Sequence, residues 1–221
     1  MKTWAKLLFA LLILCRSGHA QGFVNLDFES ATVTVDNSQG SPFCYATNAI
    51  PGWTPYIAGL PQTDVAYNGL SGGGAQVNLE GTNNTFGFPP IEGSYYVLLQ
   101  GAGFGHQASA AIGQSGQVPA SAQSILFCGS IGNMQVSFKG NPLTFIAISS
   151  TLNYTVYEAN IAAYAGQTGQ LLFTNPNYDA LDFIDNIQFS PSSVPEPRGL
   201  ALAGLGGLYL GIRRWRKAPQ N

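Results

Sequence analysis

A chain of 221 residues that is 45% hydrophobic and only 9% charged is too apolar to stay disordered. Its 27 Gly and 13 Pro suit short strands joined by turns far better than helices. The overall charge of −2 hides a division: residues 21 to 194 hold one basic residue, Lys139, against ten acids, a net charge of −9. A domain of that sign repels phosphate backbones, which excludes nucleic acid as a partner.

At the N-terminus Lys2 and Lys6 precede an apolar run of nine, Leu7 to Cys15, and then Arg16-Ser17-Gly18-His19-Ala20. A positive start, a short apolar stretch and small residues before a cut after Ala20 predict a secretory signal peptide over residues 1–20. The run is too short to span a bilayer. Leu14 stands where a lipoprotein signal needs a small residue, so Cys15 is not a lipid-attachment site.

From Gln21 onward apolar residues alternate with period two between Gly, Pro and Asn. The predicted strands are Phe23–Phe28, Thr32–Val35, Val65–Tyr67, Gln76–Leu79, Ser94–Gln100, Ser124–Phe127, Met134–Phe138, Leu143–Ser149, Tyr154–Tyr157, Gln170–Thr174 and Phe183–Phe189. One helical turn fits Ala159–Tyr164, and no other segment inside the two ends has a sustained helical period. Many short strands predict an all-β sandwich over residues 21–191, a jelly roll. The opening Asn25-Leu26-Asp27-Phe28-Glu29 with Ile50-Pro51-Gly52-Trp53, and the closing Asp182-Phe183-Ile184-Asp185-Asn186-Ile187-Gln188-Phe189-Ser190, resemble the ends of galactose-binding-like jelly rolls. Between them Tyr154-Thr155-Val156-Tyr157, Tyr164-Ala165-Gly166-Gln167-Thr168 and Leu171-Leu172-Phe173 resemble the preceding hairpin. That resemblance implies a fold shared by many carbohydrate-binding modules, and fold by itself does not settle function.

Cys44 and Cys128 are the only thiols beyond the signal peptide. An even count in an exported domain predicts a disulfide between them, with two separate buried thiols as the alternative. His106 is the single histidine of the domain, so no multi-histidine zinc site exists. Ser115, in Gly113-Gln114-Ser115-Gly116, lacks the spacing of a nucleophile elbow. Gly72-Gly73-Gly74 and Gly101-Ala102-Gly103-Phe104-Gly105 lack the lysine and the spacing of phosphate loops and are turns.

Two acids invite a sharper reading. Alternation along the last strand puts Phe183, Asp185, Ile187 and Phe189 on one face, so Asp185 sits among core side chains and needs a hydrogen-bond or metal partner. The jelly-roll resemblance implies a structural calcium between the first and last strands, with Glu29 and Asp185 as its acids and backbone carbonyls completing the site. The alternatives are that Asp185 accepts backbone N–H groups or lies on the solvent face. Trp53, Tyr56, Tyr95 and Tyr96 are the aromatics available for sugar stacking. Trp53 beside Pro51-Gly52 reads as a core plug, and the neighbours Tyr95 and Tyr96 point to opposite faces.

The C-terminal residues 192–221 hold three features in order: Val194-Pro195-Glu196-Pro197, fourteen uncharged residues from Gly199 to Ile212, and the cluster Arg213, Arg214, Arg216 and Lys217. As a helix the apolar run is about 21 Å long, short for a hydrocarbon core of about 30 Å, so the flanking Arg side chains must snorkel. Basic residues stay cytoplasmic, which leaves everything before the Pro-Glu-Pro motif outside. This tail resembles the PEP-CTERM sorting signal of Gram-negative bacteria. The resemblance implies an exosortase as processing partner, a single membrane helix before processing, and delivery to the cell surface or matrix of an exopolysaccharide-producing cell. Arg198 is a departure, since a small or hydroxyl residue commonly follows the motif. The expected function is a non-catalytic exported surface or matrix protein; the alternative is a carbohydrate-binding module for extracellular polysaccharide, and a glycan-active enzyme ranks third.

Overall fold

The computed structural model describes residues 22–37, 42–84, 91–103, 108–176 and 180–194. The predicted signal peptide, His106, and residues 195–221, with Pro195, Glu196, Pro197 and the basic cluster, lie outside the described residues. No helix among the described residues is long and apolar enough to cross a membrane.

In chain order the strands are β1 (Phe43–Tyr45), β2 (Thr54–Ile57), β3 (Leu60–Pro61), β4 (Asp64–Tyr67), β5 (Gln76–Gly81), β6 (Tyr95–Gln100) and β7 (Ala110–Gln117). Then follow β8 (Ser124–Ser130), β9 (Gln135–Phe138), β10 (Asn141–Leu143), β11 (Phe145–Ser150), β12 (Thr155–Asn160), β13 (Thr168–Asn175) and β14 (Leu181–Ser190). A single turn of helix, α1 (Ala46–Ala49), follows β1, and a 3-10 turn at Ala162–Tyr164 falls within the predicted helical turn. The strands form an eight-stranded sheet, β1-β4-β5-β6-β14-β8-β12-β11, and a six-stranded sheet, β10-β9-β13-β7-β2-β3. From β7 on the chain crosses repeatedly between the sheets, and β14 returns to the middle of the larger one. This is the all-β jelly-roll sandwich that the alternating pattern predicts.

The core lies between the sheets because alternate residues of each strand point inward. Val77, Leu79, Val97, Leu99, Ile125, Phe127 and Ile184 face Ile112, Val136, Phe138, Leu171 and Phe173. Phe127 meets Phe173 edge to face at 5.3 Å, a geometry that adds to simple area burial. Trp53 joins this stack at 6.2 Å from Phe173 and 5.7 Å from Phe28, so it is the core plug expected of it.

The segment predicted as the first strand is instead an irregular plug. Asn25 and Phe28 adopt left-handed backbone at φ 50° and 58°, which breaks the extended conformation of a regular strand at two places. The Asn25 side chain holds that bend by accepting from Ser30 N–H (3.0 Å) and donating to the Pro51 carbonyl (3.1 Å). Phe28 thereby turns into the core, and Trp53 Nε1 donates to the Asn25 carbonyl at 2.9 Å. The opening and closing motifs meet directly, through Ile187 N–H donating to the Leu26 carbonyl at 2.9 Å. Thr32–Val35 is likewise not a strand; among the described residues an isolated bridge from Asp36 to Phe43 is the pairing beside it.

The longest strand missing from the sequence-based set is β7. Its residues, Ala-Ala-Ile-Gly-Gln-Ser-Gly-Gln, carry little β propensity, yet it pairs with β13 over eight residues and with β2 over four. The glycines admit neighbouring side chains: the Phe23 ring lies 2.9 Å from where a Cβ on Gly116 would stand.

The disulfide expectation is corrected. Cys44 on β1 and Cys128 on β8 are free and buried, and β4, β5, β6 and β14 separate their strands within one sheet. Five strand spacings amount to roughly 24 Å, whereas a bridge needs Cα atoms within about 7 Å. Parity of count carries no information on this separation.

Candidate functional site

The predicted faces of β14 are also corrected. A bulge between Asp185 and Gln188, with Asn186 at φ 46°, inserts one residue and resets the alternation. Ile184, Ile187 and Phe189 therefore pack on the core, while Phe183 and Asp185 lie on the opposite face of the eight-stranded sheet. Phe183 is opposite Leu98 and its ring lies 5.7 Å from that of Tyr96.

Asp185 is nonetheless fully buried, because the chain around Glu92 lies over it. One carboxylate oxygen accepts from Glu92 N–H at 2.9 Å and the other from Asn186 N–H at 2.7 Å. Glu29 grips the same loop from the other side, with Oε1 accepting from Ser94 N–H (2.7 Å) and Tyr95 N–H (2.9 Å). Gly93 sits at φ 59°, and a Cβ there would fall 2.3 Å from the Glu29 carboxylate, so glycine is required. Asn186 Nδ2 donates to Glu92 Oε2. The structure thus brings Glu29 and Asp185 to one loop, but as acceptors of backbone N–H groups. N–H donors aimed at the carboxylates are the wrong complement for a cation, and no group of three or more acids, His or Cys among the described residues is arranged to hold a metal. Burial pushes Asp185 up to about 7, with Glu92 and Glu29 adding to the rise and the two N–H groups opposing it. Asp182, on the core side of the same strand, is also raised by burial, while Gly132 and Asn133 N–H groups pull it back.

Burial likewise pushes the Cys128 thiol up to about 11, and the facing Asp185 and nearby Glu92 raise it further. Cys44 is raised by burial alone, against a Thr34 backbone hydrogen bond. Neither thiol has the depressed pKa of a nucleophile. Ser115 is exposed on β7.

The outer face of the six-stranded sheet has a different character. None of its six strands contains Asp, Glu, Lys, Arg or His. Its outward residues include Thr54 and Tyr56 on β2, Ser115 on β7, Gln170 and Leu172 on β13, and Ser137 on β9. Tyr56 is half-buried and its hydroxyl accepts from Gln170 Nε2 at 3.0 Å. Gly113 makes room for this arrangement, since a Cβ there would lie 2.9 Å from the Gln170 amide and 3.2 Å from the Tyr56 ring. Beyond Leu172 a hollow of about 430 Å³ runs between β13, β9 and β10, bordered by Gln135, Ser137, Pro142 and Thr174. Hydroxyls, side-chain amides and an aromatic ring fixed at its hydroxyl form a surface suited to neutral polyhydroxyl ligands. Of the four predicted sugar-stacking aromatics only Tyr56 belongs to this face. Trp53 is core, Tyr95 packs on the core, and Tyr96 is fully buried on the other side of its strand, which bears out their opposed directions. Gln170, Gly113 and Leu172 were not singled out from sequence; a Thr-Gly-Gln-Leu-Leu-Phe-Thr alternation around Gln170 is the signal that marks their face.

No protein-family model matches the chain, and no curated protein matches it in sequence. Solved structures similar to it in outline include three from different settings. One is the carbohydrate-binding module TmCBM61 in complex with β-1,4-galactotriose, at 14% identity and a TM-score of 0.41, with 77% of this chain and 98% of that one covered. Another is the enzymatically active domain of tailspike protein 4 from bacteriophage CBA120, at 13% identity and a TM-score of 0.39, with 75% of this chain and 21% of that one covered. The third is the family 11 carbohydrate-binding module of the cellulosomal cellulase Lic26A-Cel5E of Clostridium thermocellum, at 10% identity and a TM-score of 0.36, with 76% and 100% covered. What the fold itself establishes is the class, an all-β jelly-roll domain built from an eight-stranded and a six-stranded sheet.

Proposed function

We infer that this is a non-catalytic, exported surface protein whose domain binds a neutral extracellular polysaccharide, and that residues 192–221 sort it through an exosortase. The observation that carries the binding reading is the outer face of the six-stranded sheet. In a domain of net charge −9 these six strands are free of charge, and they present Tyr56, Gln170, Ser115 and Ser137 side by side. An uncharged glycan loses little solvation there and gains ring stacking and amide hydrogen bonds. The sorting reading is supported by the order of motif, apolar run and basic cluster in the sequence.

Affinity electrophoresis of the protein through gels containing neutral polysaccharides tests the binding reading. Retardation that Tyr56→Ala reduces about ten-fold in affinity, the value of one lost stacking contact of ~1.4 kcal/mol, is the expected result. Retardation unchanged by Tyr56→Ala refutes this face as the site. Fractionation of the native host with and without its exosortase tests the sorting reading. An intact C-terminus on surface material, by mass spectrometry, would contradict processing.

A further inference from the structure

Four strands end the two sheets, and three of them are closed to further pairing. β3 is two residues long and contains Pro61, and β10 is three residues long and contains Pro142. β1 is also three residues long, and the Asp36 backbone lies along its free side, donating to the Phe43 carbonyl (2.7 Å) and accepting from the Phe43 N–H (3.0 Å). Short edges, proline and a covering segment are how sheets avoid joining one another. β11 is different: it has six residues, Phe-Ile-Ala-Ile-Ser-Ser, with no proline and no charge. Among the described residues only β12 pairs with it, and a bulge at Ile148 is its one protection.

The hairpin that carries this edge is also apolar where it meets solvent. Ile146 is 37% exposed, Ile148 is 40% exposed, and Leu152 at the tip is fully exposed. Hydrogen bonds hold the tip in shape. Thr151 N–H donates to the Tyr154 carbonyl at 2.8 Å, and the Thr151 hydroxyl accepts from Tyr154 N–H at 3.1 Å. In a domain of net charge −9, residues 145–160 hold a single carboxylate, Glu158, and no basic residue. Glu158 is buried on β12, opposite Ile146.

We propose that β11 joins β11 of a second copy of this chain, antiparallel about a two-fold axis, so that the eight-stranded sheet continues from one copy into the other. Two identical strands meet in this way with the same surface on each side. A register centred on Ala147 sets Ile146 of each copy against Ile148 of the other, and such cross-strand pairs of β-branched side chains stabilise a sheet. Contact through the acidic loops would bring carboxylates together, whereas this edge brings none. The two Glu158 carboxylates would stand three strand spacings apart, about 14 Å, beyond the screening length of about 8 Å. A lipid surface fits the hairpin less well, because it offers no Lys or Arg to headgroups. The chain also leaves the sheet at Ser190, beside Ser124 and Asn160, at the end opposite the Leu152 tip. A tail held in a membrane would therefore keep that tip away from the bilayer. One six-residue edge buries well under the roughly 1,600 Å² of a standard interface, so the pair is a weak one.

Sedimentation of the full chain in a mild detergent, over a range of protein concentrations, tests the pairing. Wild type forms a dimer with a Kd on the order of 10–100 μM. Ile146→Lys weakens it at least about ten-fold and leaves the melting temperature unchanged, because the site is exposed. Adding Ile148→Glu to Ile146→Lys restores the dimer, since each new cation then faces a new anion on the other copy. Leu60→Lys, the same change on the exposed edge strand β3, leaves the dimer intact. If Ile146→Lys does not fold, Ala147→Cys in a Cys15→Ser background decides. Mild oxidation then links two copies, and Ser115→Cys, exposed on the six-stranded sheet, gives no such link. A chain that stays monomeric leaves the hairpin to some other partner and overturns the proposal. So does a dimer that Ile146→Lys leaves intact, which another segment holds, and so does a double variant no tighter than Ile146→Lys alone.

Discussion

Glu80→Gln should make the domain more stable at alkaline pH and leave it unchanged at pH 4. In the folded protein burial pushes Glu80 from 4.5 up to about 7, opposed only by the Gly69 backbone N–H. A carboxyl raised on folding holds its proton more tightly in the native state than in the unfolded chain. Between pH 4.5 and 7 the native state therefore binds more protons, and stability falls as pH rises. Holding the carboxyl at about 7 in place of 4.5 costs the ionised folded state about 3 kcal/mol, fully felt above pH 7. Glutamine keeps the shape and carries no charge to desolvate. For a domain of this size ~3 kcal/mol is about 6–12 °C in melting temperature. Urea unfolding of wild type and variant, without sugar, at pH 4 and pH 8 reads it out. Asp185, also raised to about 7, still titrates in the variant, so the slope is reduced and not abolished. Superimposable pH profiles for the two proteins would refute a carboxylate raised by burial, and so would a variant less stable than wild type at pH 8.

The hydrogen bonds and the sheet order carry the remaining expectations. Reductant should leave the melting temperature and the gel mobility unchanged, and both Cys44 and Cys128 should react with a thiol label only after unfolding; mobility that shifts on reduction would contradict their separation across the sheet. Asp185→Ala, measured at pH 5, should destabilise by roughly 1–3 kcal/mol through the orphaned Glu92 and Asn186 N–H groups. Asp64→Ala should stay within about 0.5 kcal/mol, and a chelator should not move the wild-type melting curve; a chelator-sensitive melt would show that Glu29 and Asp185 hold a cation after all.

The fold class was legible because most strands follow a clean period of two: Val77 and Leu79, Val97 and Leu99, and Ile125 and Phe127 all point inward as alternation requires. Legibility failed wherever one residue broke the period. Asn25 and Phe28 turn a predicted strand into a plug, and the bulge at Asn186 exchanges the faces of half of β14. In β7 the glycines erase the pattern because their role is to leave space for Phe23, Tyr56 and Gln170 from other segments. The site was less legible still. Tyr56 was among the candidate aromatics, but its partner Gln170 is 114 residues away, and nothing local joins them. Asn78 and Glu80 alternate with core residues and so read as solvent-facing. They are buried nonetheless, and the connections on either side of β5 are tied to this outward face by partners far along the chain, Ser71 by Gln100 and Glu92 by Asp185.

The position of β14 bears on how such a chain reaches its native state. The last strand in sequence lies in the interior of the eight-stranded sheet, paired with β6 on one side and β8 on the other. Its Ile187 also receives the first plug segment through Leu26, 161 residues earlier in the chain. A chain that emerges N-terminus first consequently cannot close its larger sheet, nor fix its opening segment, until residues 181–190 are clear. Until then β6 and β8 are two unpaired edges, open to the wrong partner. With β14 ending at Ser190 and the apolar run beginning at Gly199, a tail held in a membrane would place that final closure within a few residues of the bilayer surface. Were the tail then cut, folding of the domain and release of its end would take place at the same spot, and their order would decide whether an open or a finished sheet left the membrane.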